Sequence, residues 1–193
     1  MRSTKLILFH VGLFAICATT EINPDGLRIL EQQNCGIGKN VRLIGNATEV
    51  IPGSRPWMAL IKNNDTISPY YCIGTLITDQ FVLTVAHCAS KVELESVTLG
   101  NNNLLTDEDC FKSKNSNGNN CLPAVERFGI ETVIVHEHFT FNENYANDIA
   151  LLKLSKKVKF QDHISPICLP VNATLQQQVE TLATLGRRRA RRY

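Results

Sequence analysis

No Cys-x-x-Cys pair occurs among the seven cysteines, and His87-Cys88 is an adjacency that tetrahedral zinc sites do not usually use, so zinc is disfavoured and no metal is expected. No apolar run reaches the ~20 residues of a membrane-spanning helix. The longest, Leu6 to Ile16, is interrupted by His10 and followed by Thr19, Thr20 and Glu21. Basic residues are scarce outside one place. Five of the twenty are Arg187, Arg188, Arg189, Arg191 and Arg192, and without them fifteen bases face eighteen acids, a balance of −3. A phosphate-tracking surface needs basic residues clustered on one face, so nucleic acid is not an expected partner. No low-complexity tract or fixed-period repeat is visible, and 44% apolar with 20% charged residues is a globular composition. At 193 residues, one packed domain is expected. No cofactor is implied.

Arg2 and Lys5, then the apolar run, then the small residues Ala15, Cys17 and Ala18 read as a secretory signal peptide over residues 1–19. Secretion changes the meaning of the cysteines. Beyond Cys17 there remain Cys35, Cys72, Cys88, Cys110, Cys121 and Cys168, an even number that implies a disulfide framework. Fifteen connectivities are open, and spacing alone does not choose among them. The sequons at Asn46, Asn64 and Asn172 fit the same extracellular context as candidate glycosylation sites.

Residues 20–42 are polar, with Pro24, Gly36 and Gly38 interrupting any pattern, and read as a propeptide or linker. From Trp57 onward, short β-like runs are bounded by turn residues. Six are recognised: 57–61, 71–77, 81–85, 97–99, 128–135 and 149–154. No amphipathic helix intervenes, so a parallel βαβ arrangement is disfavoured and an all-β antiparallel barrel or sandwich is expected. Residues 101–120, rich in Asn, Ser, Gly and charge, read as a long surface loop closed by Cys110 and Cys121.

Nucleophilic hydrolysis needs a hydroxyl, an imidazole to take its proton, and a carboxylate to fix the imidazole tautomer. Taken singly, His87 reads as a surface histidine and Asp148 as a strand-capping aspartate. Paired motifs change that. Leu83-Thr84-Val85-Ala86-His87-Cys88 and Asn147-Asp148-Ile149-Ala150-Leu151-Leu152 both resemble those of the trypsin-like serine endopeptidases, in which His precedes Asp and Ser comes last. Arg42-Leu43-Ile44-Gly45 resembles the family's activation site. Arg55-Pro56-Trp57-Met58 and Cys72-Ile73-Gly74-Thr75-Leu76 resemble its first strands, and Ile167-Cys168-Leu169-Pro170 the connector between its two barrels.

The resemblance covers residues 35–170 or so. It implies an antiparallel β-barrel, the first of the family's two, over residues 43–170. It also implies His87 as general base and acid, Asp148 as its orienting carboxylate, and cleavage between Arg42 and Leu43. The implied disulfides are Cys72–Cys88, Cys35–Cys168 and Cys110–Cys121, the last similar to that of arthropod extracellular cascade proteases. Departures exist: Leu43 and Asn46 replace the usual Ile-Val-Gly-Gly pattern, and Ile73 stands where a small residue is usual. Asn101 follows Leu99-Gly100 where calcium-binding members carry an acid, so no calcium site is expected.

The family's serine lies about 90 residues beyond the aspartate. Only Ser155 and Ser165 follow Asp148, no Gly-Asp-Ser-Gly-Gly occurs, and Gly186 is the only glycine after Gly129. The second barrel is largely missing, and residues 171–193 read as an aberrant or disordered basic tail: a frame change or splice product, or else a genuine arm. The expectation is a secreted protease homologue, inactive because the nucleophilic serine, oxyanion hole and specificity pocket are absent, with protein substrates or protease and inhibitor partners by family. The alternative is a non-catalytic homologue that binds a cascade partner.

Overall fold

The computed structural model describes residues 23–38, 52–64, 71–90, 93–101, 109–112, 119–142, 144–172, 174 and 176–177. The leader expected at 1–19, the expected cleavage site at Arg42 and Leu43, the sequon at Asn46, and nearly all of 171–193 lie outside the described residues.

Six strands close a barrel: β1 (Met58–Asn63), β2 (Tyr71–Leu76), β3 (Phe81–Thr84), β4 (Leu94–Leu99), β7 (Glu126–Val135) and β8 (Ala150–Leu154). Two more, β5 (Cys110–Lys112) and β6 (Asn119–Cys121), pair with each other as a separate hairpin. Every pairing is antiparallel and the barrel order is β1-β2-β3-β8-β7-β4, with β4 returning to β1. Three consecutive strands run as a meander, the chain crosses one end of the barrel, and a second meander closes it. The expected antiparallel barrel is therefore the fold, built on the six runs identified in the sequence.

Alternation explains why these segments are strands. In Met58–Asn63, Ala59, Ile61 and Asn63 are buried while the residues between them are partly exposed; Ala150–Leu154 buries Ala150, Leu152 and Leu154 in the same way. The inward residues meet in one core with Leu76, Val82, Val97, Leu99, Phe128 and Ile164. Each such side chain, fully withdrawn from water, contributes roughly 1.5–3 kcal/mol.

The segment expected to be an irregular propeptide or linker contains a helix, α1 (Pro24–Gln32). Pro24 does not interrupt it. A proline at the first helical position loses no hydrogen bond there, and the Asn23 side chain accepts from the N–H groups of Asp25 and Gly26. The following residues are tied to the barrel connector by Cys35–Cys168, and beside that bridge the Gly36 N–H donates to the Pro166 carbonyl at 2.8 Å. The Cys110–Cys121 disulfide joins β5 to β6, so the polar 101–120 stretch holds a short cross-linked ladder where a loop was expected.

Candidate active site

Topology brings two distant segments together. β3 ends at Thr84 and β8 begins at Ala150, and these residues are direct cross-strand partners. The residues just beyond them, on the crossing from β3 and on the approach to β8, therefore meet at one end of the barrel. The crossing opens with α2 (Ala86–Ala89), a single turn bearing His87. Cys88 is buried and bonded to Cys72 of β2, which anchors the turn to a third strand. Closing a loop of this size is worth about 3 kcal/mol in the chain-entropy account of disulfides. The Thr84 hydroxyl donates to the Ile73 carbonyl, and the Ser90 hydroxyl bonds back to that of Ala86, fixing both flanks of the turn.

Asp148 docks on this turn with both oxygens. Oδ2 lies 2.7 Å from His87 Nδ1, and Oδ1 accepts the His87 backbone N–H at 2.9 Å. The first N–H groups of a helical turn have no partner within it, so the carboxylate satisfies donors that would otherwise be open. Partial burial of Asp148 pushes its pKa upward. The His87 ring and backbone N–H, the His87 charge and the Ala86 N–H outweigh that, and the carboxyl is held below its ordinary value. It is ionised at neutral pH. A carboxylate at Nδ1 requires that nitrogen to carry the proton, which leaves the Nε2 lone pair free to accept one. The imidazole is 46% exposed, Asp148 only 19%, and Nε2 makes no hydrogen bond among the described residues. The arrangement is a base with a fixed tautomer and an open face.

A trypsin family model matches residues 44–192. The chain belongs to the trypsin family. Among curated proteins, serine protease grass of Drosophila melanogaster is 37% identical over 171 residues, covering 86% of this chain and 45% of its own length. The CLIP domain-containing serine protease HP8 of Bombyx mori is 36% identical over 168 residues, covering 83% and 43% respectively. The crystal structure of the Drosophila Grass clip serine protease of the Toll pathway superposes with a TM-score of 0.73 at 34% identity, over 82% of this chain and 45% of that one. This member of the trypsin family thus spans somewhat under half the length of the curated relatives it matches.

Both serines that follow Asp148 lie away from the His87–Asp148 pair. Ser155 sits past the far end of β8, where its N–H donates to the Gly129 carbonyl. The five residues of β8 lie between it and the Asp148 end of the strand, a span of roughly 16 Å. Ser165 is buried, with its N–H on the Pro56 carbonyl. Asn64 and Asn172 are exposed, and the Asn64 amide donates to Glu93 at 3.2 Å. Ile73, unusually large for its position, is 63% exposed, so its extra bulk meets solvent and not the core. Among the described residues no cluster of three or more His, Cys, Asp or Glu could hold a metal ion, and no helix is long and apolar enough to cross a membrane.

Two site features carried no notice in the sequence. Tyr145 stands edge-on to the His87 ring, with centroids 6.0 Å apart. Asn147 adopts a left-handed backbone conformation immediately before Asp148. The run Asn142-Glu143-Asn144-Tyr145-Ala146-Asn147 is rich in asparagine, and that composition is the available signal for such turns.

Proposed function

We propose that these residues are the base-bearing barrel of a secreted serine endopeptidase acting in an extracellular cascade. His87 is the general base and then acid, and Asp148 is the carboxylate that holds its tautomer and stabilises its cation. The observation that carries the reading is the two-point docking of Asp148, on His87 Nδ1 at 2.7 Å and on the His87 N–H at 2.9 Å. A secretory leader over 1–19, cleavage after Arg42, glycans on Asn46, Asn64 and Asn172, and protein substrates belong to the same proposal, supported by family membership and by the sequence motifs.

His87 and Asp148 supply base and carboxylate, and among the described residues no serine hydrogen-bonds the His87 ring, so the expected outcome is that this chain does not hydrolyse peptide bonds. A fluorophosphonate that labels activated serines should leave the purified chain unmodified; a mass shift mapped to Ser155 or Ser165 would overturn this. In a polypeptide that also carries a nucleophilic serine, His87→Ala should lower kcat/KM by about 10²–10⁴-fold. An unchanged rate would refute the role of His87.

A second reading, a binding homologue without catalysis, has one observation in its favour. Around the end of the barrel that carries Asp148, Val133, Ile134 and Ile149 are exposed, Ile134 to 48%. Exposed apolar surface of this kind marks interaction sites. Saturable binding of a cascade protease or inhibitor by the folded, unlabelled chain would favour it.

A further inference from the structure

We infer that Asn147 is a positioning residue: its left-handed backbone and its side-chain amide together hold Asp148 where the carboxylate can receive both His87 donors. The inference rests on the reading of His87 and Asp148 as base and orienting carboxylate.

Asp148 is approached through an unusual stretch of backbone. Tyr145 has φ +43° and Asn147 has φ +60°, the two positive-φ residues other than glycine among the described residues. Most side chains are disfavoured there, while asparagine is several-fold enriched. The Asn147 carbonyl accepts the Ile149 N–H at 2.8 Å, so Asp148 is the central residue of a three-residue turn. From the other side of the turn, Asn147 Nδ2 donates to the His138 carbonyl at 3.1 Å. His138 belongs to a turn that is itself closed, by Phe139 N–H to the His136 carbonyl at 2.9 Å and by His138 N–H to His136 Nδ1 at 3.2 Å. That turn is in turn fixed to the approach to β8, because the His136 N–H donates to the Ile149 carbonyl at 3.1 Å.

Asn147 is therefore held at both its backbone carbonyl and its side-chain amide, immediately before the residue that carries the carboxylate. The geometry it supports has little slack. The carboxylate accepts from two donors at 2.7 and 2.9 Å, and a withdrawal of roughly 0.5 Å takes the first bond to the edge of the useful range and the second beyond it. Residue chemistry singles out asparagine. Glycine would take the left-handed conformation but has no amide, aspartate would tolerate it but offers no donor to the His138 carbonyl, and alanine has neither property.

The test reads the tautomer of His87 in the full 193-residue chain from the ¹⁵N shifts of its two ring nitrogens. The downfield Nδ1 proton resonance is followed in parallel. A purely structural role elsewhere would not move either signal. Asp148→Asn sets the reference for a ring without its carboxylate. Asn147→Gly should move the tautomer population a resolved part of the way to that reference, and Asn147→Ala at least half of the way. If both overlay the unsubstituted chain while Asp148→Asn shifts, the role of Asn147 is overturned and the pair stands. If Asp148→Asn leaves the ring nitrogens unchanged, the reading of the pair fails and this inference with it. Should Asn147→Ala lose its dispersed amide spectrum, Asn147→Gly, which keeps the backbone freedom, decides alone.

Discussion

Replacing Gly74 by alanine would place a Cβ 2.6 Å from Val82 Cγ1 and 3.1 Å from both Ile61 Cδ1 and the Leu83 carbonyl oxygen. Val82 and Ile61 are in the core, and Leu83 lies on the strand next to Gly74, so the added methyl enters the barrel wall where three elements converge. Overpacking of this kind costs about 1–3 kcal/mol. Against it stands a gain of roughly 0.5–1 kcal/mol from removing glycine's backbone freedom in a strand. Because the nearest approach is well inside contact distance, a net loss of about 2 kcal/mol is expected. Val82→Ala alone removes two buried methyl groups at about 0.8 kcal/mol each and leaves a cavity, for a loss of about 2.5 kcal/mol. If the clash is with Cγ1, the double variant is relieved of it and loses only about 3 kcal/mol, a coupling of about 1.5 kcal/mol between contacting sites. Urea unfolding followed by the fluorescence of Trp57, the single tryptophan, which packs against the core, reads all four corners of the cycle. Additivity within about 0.5 kcal/mol would refute the packing argument.

Two further outcomes follow from the geometry. The folded pKa of Asp148 is lowered, so on acidification the unfolded chain takes up this proton first; the carboxylate's contribution is full above the ordinary value of about 3.9 and is lost as pH falls below it, through the folded value. The difference in urea midpoint between the unsubstituted chain and Asp148→Asn should therefore shrink over that window, and a difference that stays constant down to pH ~2 would contradict the assignment. Gly100 has φ +78°, and a Cβ there would meet His163 Cδ2 at 2.7 Å and Ile164 Cγ1 at 3.2 Å. Gly100→Ala should cost about 3 kcal/mol by thermal unfolding, combining backbone strain with overpacking, and a loss under about 1 kcal/mol would show that the site relaxes freely.

The barrel strands were legible because their burial follows a period of two with strong contrast: Phe81–Thr84 and Ala150–Leu154 alternate cleanly, and both sit within runs recognised in the sequence. Boundaries were blurred where the alternation is carried by polar residues. β4 starts at Leu94, ahead of the apolar Val97–Leu99, because Glu95 and Ser96 occupy strand positions without announcing them. Helix α1 was hidden by its own capping residue, since Pro24 is a breaker in a helix interior and a favoured residue at the first position. The β5–β6 ladder was hidden because three-residue strands of Cys-Phe-Lys and Asn-Asn-Cys carry no pattern, and the cross-link lies within the ladder itself. His87 and Asp148 were found through family motifs. Asn147 was passed over because a left-handed turn residue has no periodicity to betray it.

The His87–Asp148 pair is assembled wholly from one barrel, and this separates two requirements that catalysis joins. Its position depends on the Thr84–Ala150 register, on the Cys72–Cys88 bridge, and on the turn around Asn147. None of the hydrogen bonds that orient the ring comes from a serine. The tautomer is therefore set before any nucleophile arrives: Asp148 is ionised, Nδ1 carries the proton, and Nε2 makes no hydrogen bond among the described residues. A hydroxyl brought to that ring would meet an imidazole whose tautomer is already fixed, and no reorganisation of the carboxylate would be needed at that moment. A barrel with this pair intact is accordingly consistent with a competent half-site, and equally with a homologue in which the pair persists as the hydrogen-bonded closure of one end of the fold. Restoring a nucleophile distinguishes the two. If catalysis follows on its addition and disappears with His87→Ala, the pair is catalytic; if the added serine remains unreactive while the ring keeps its tautomer, the pair is structural.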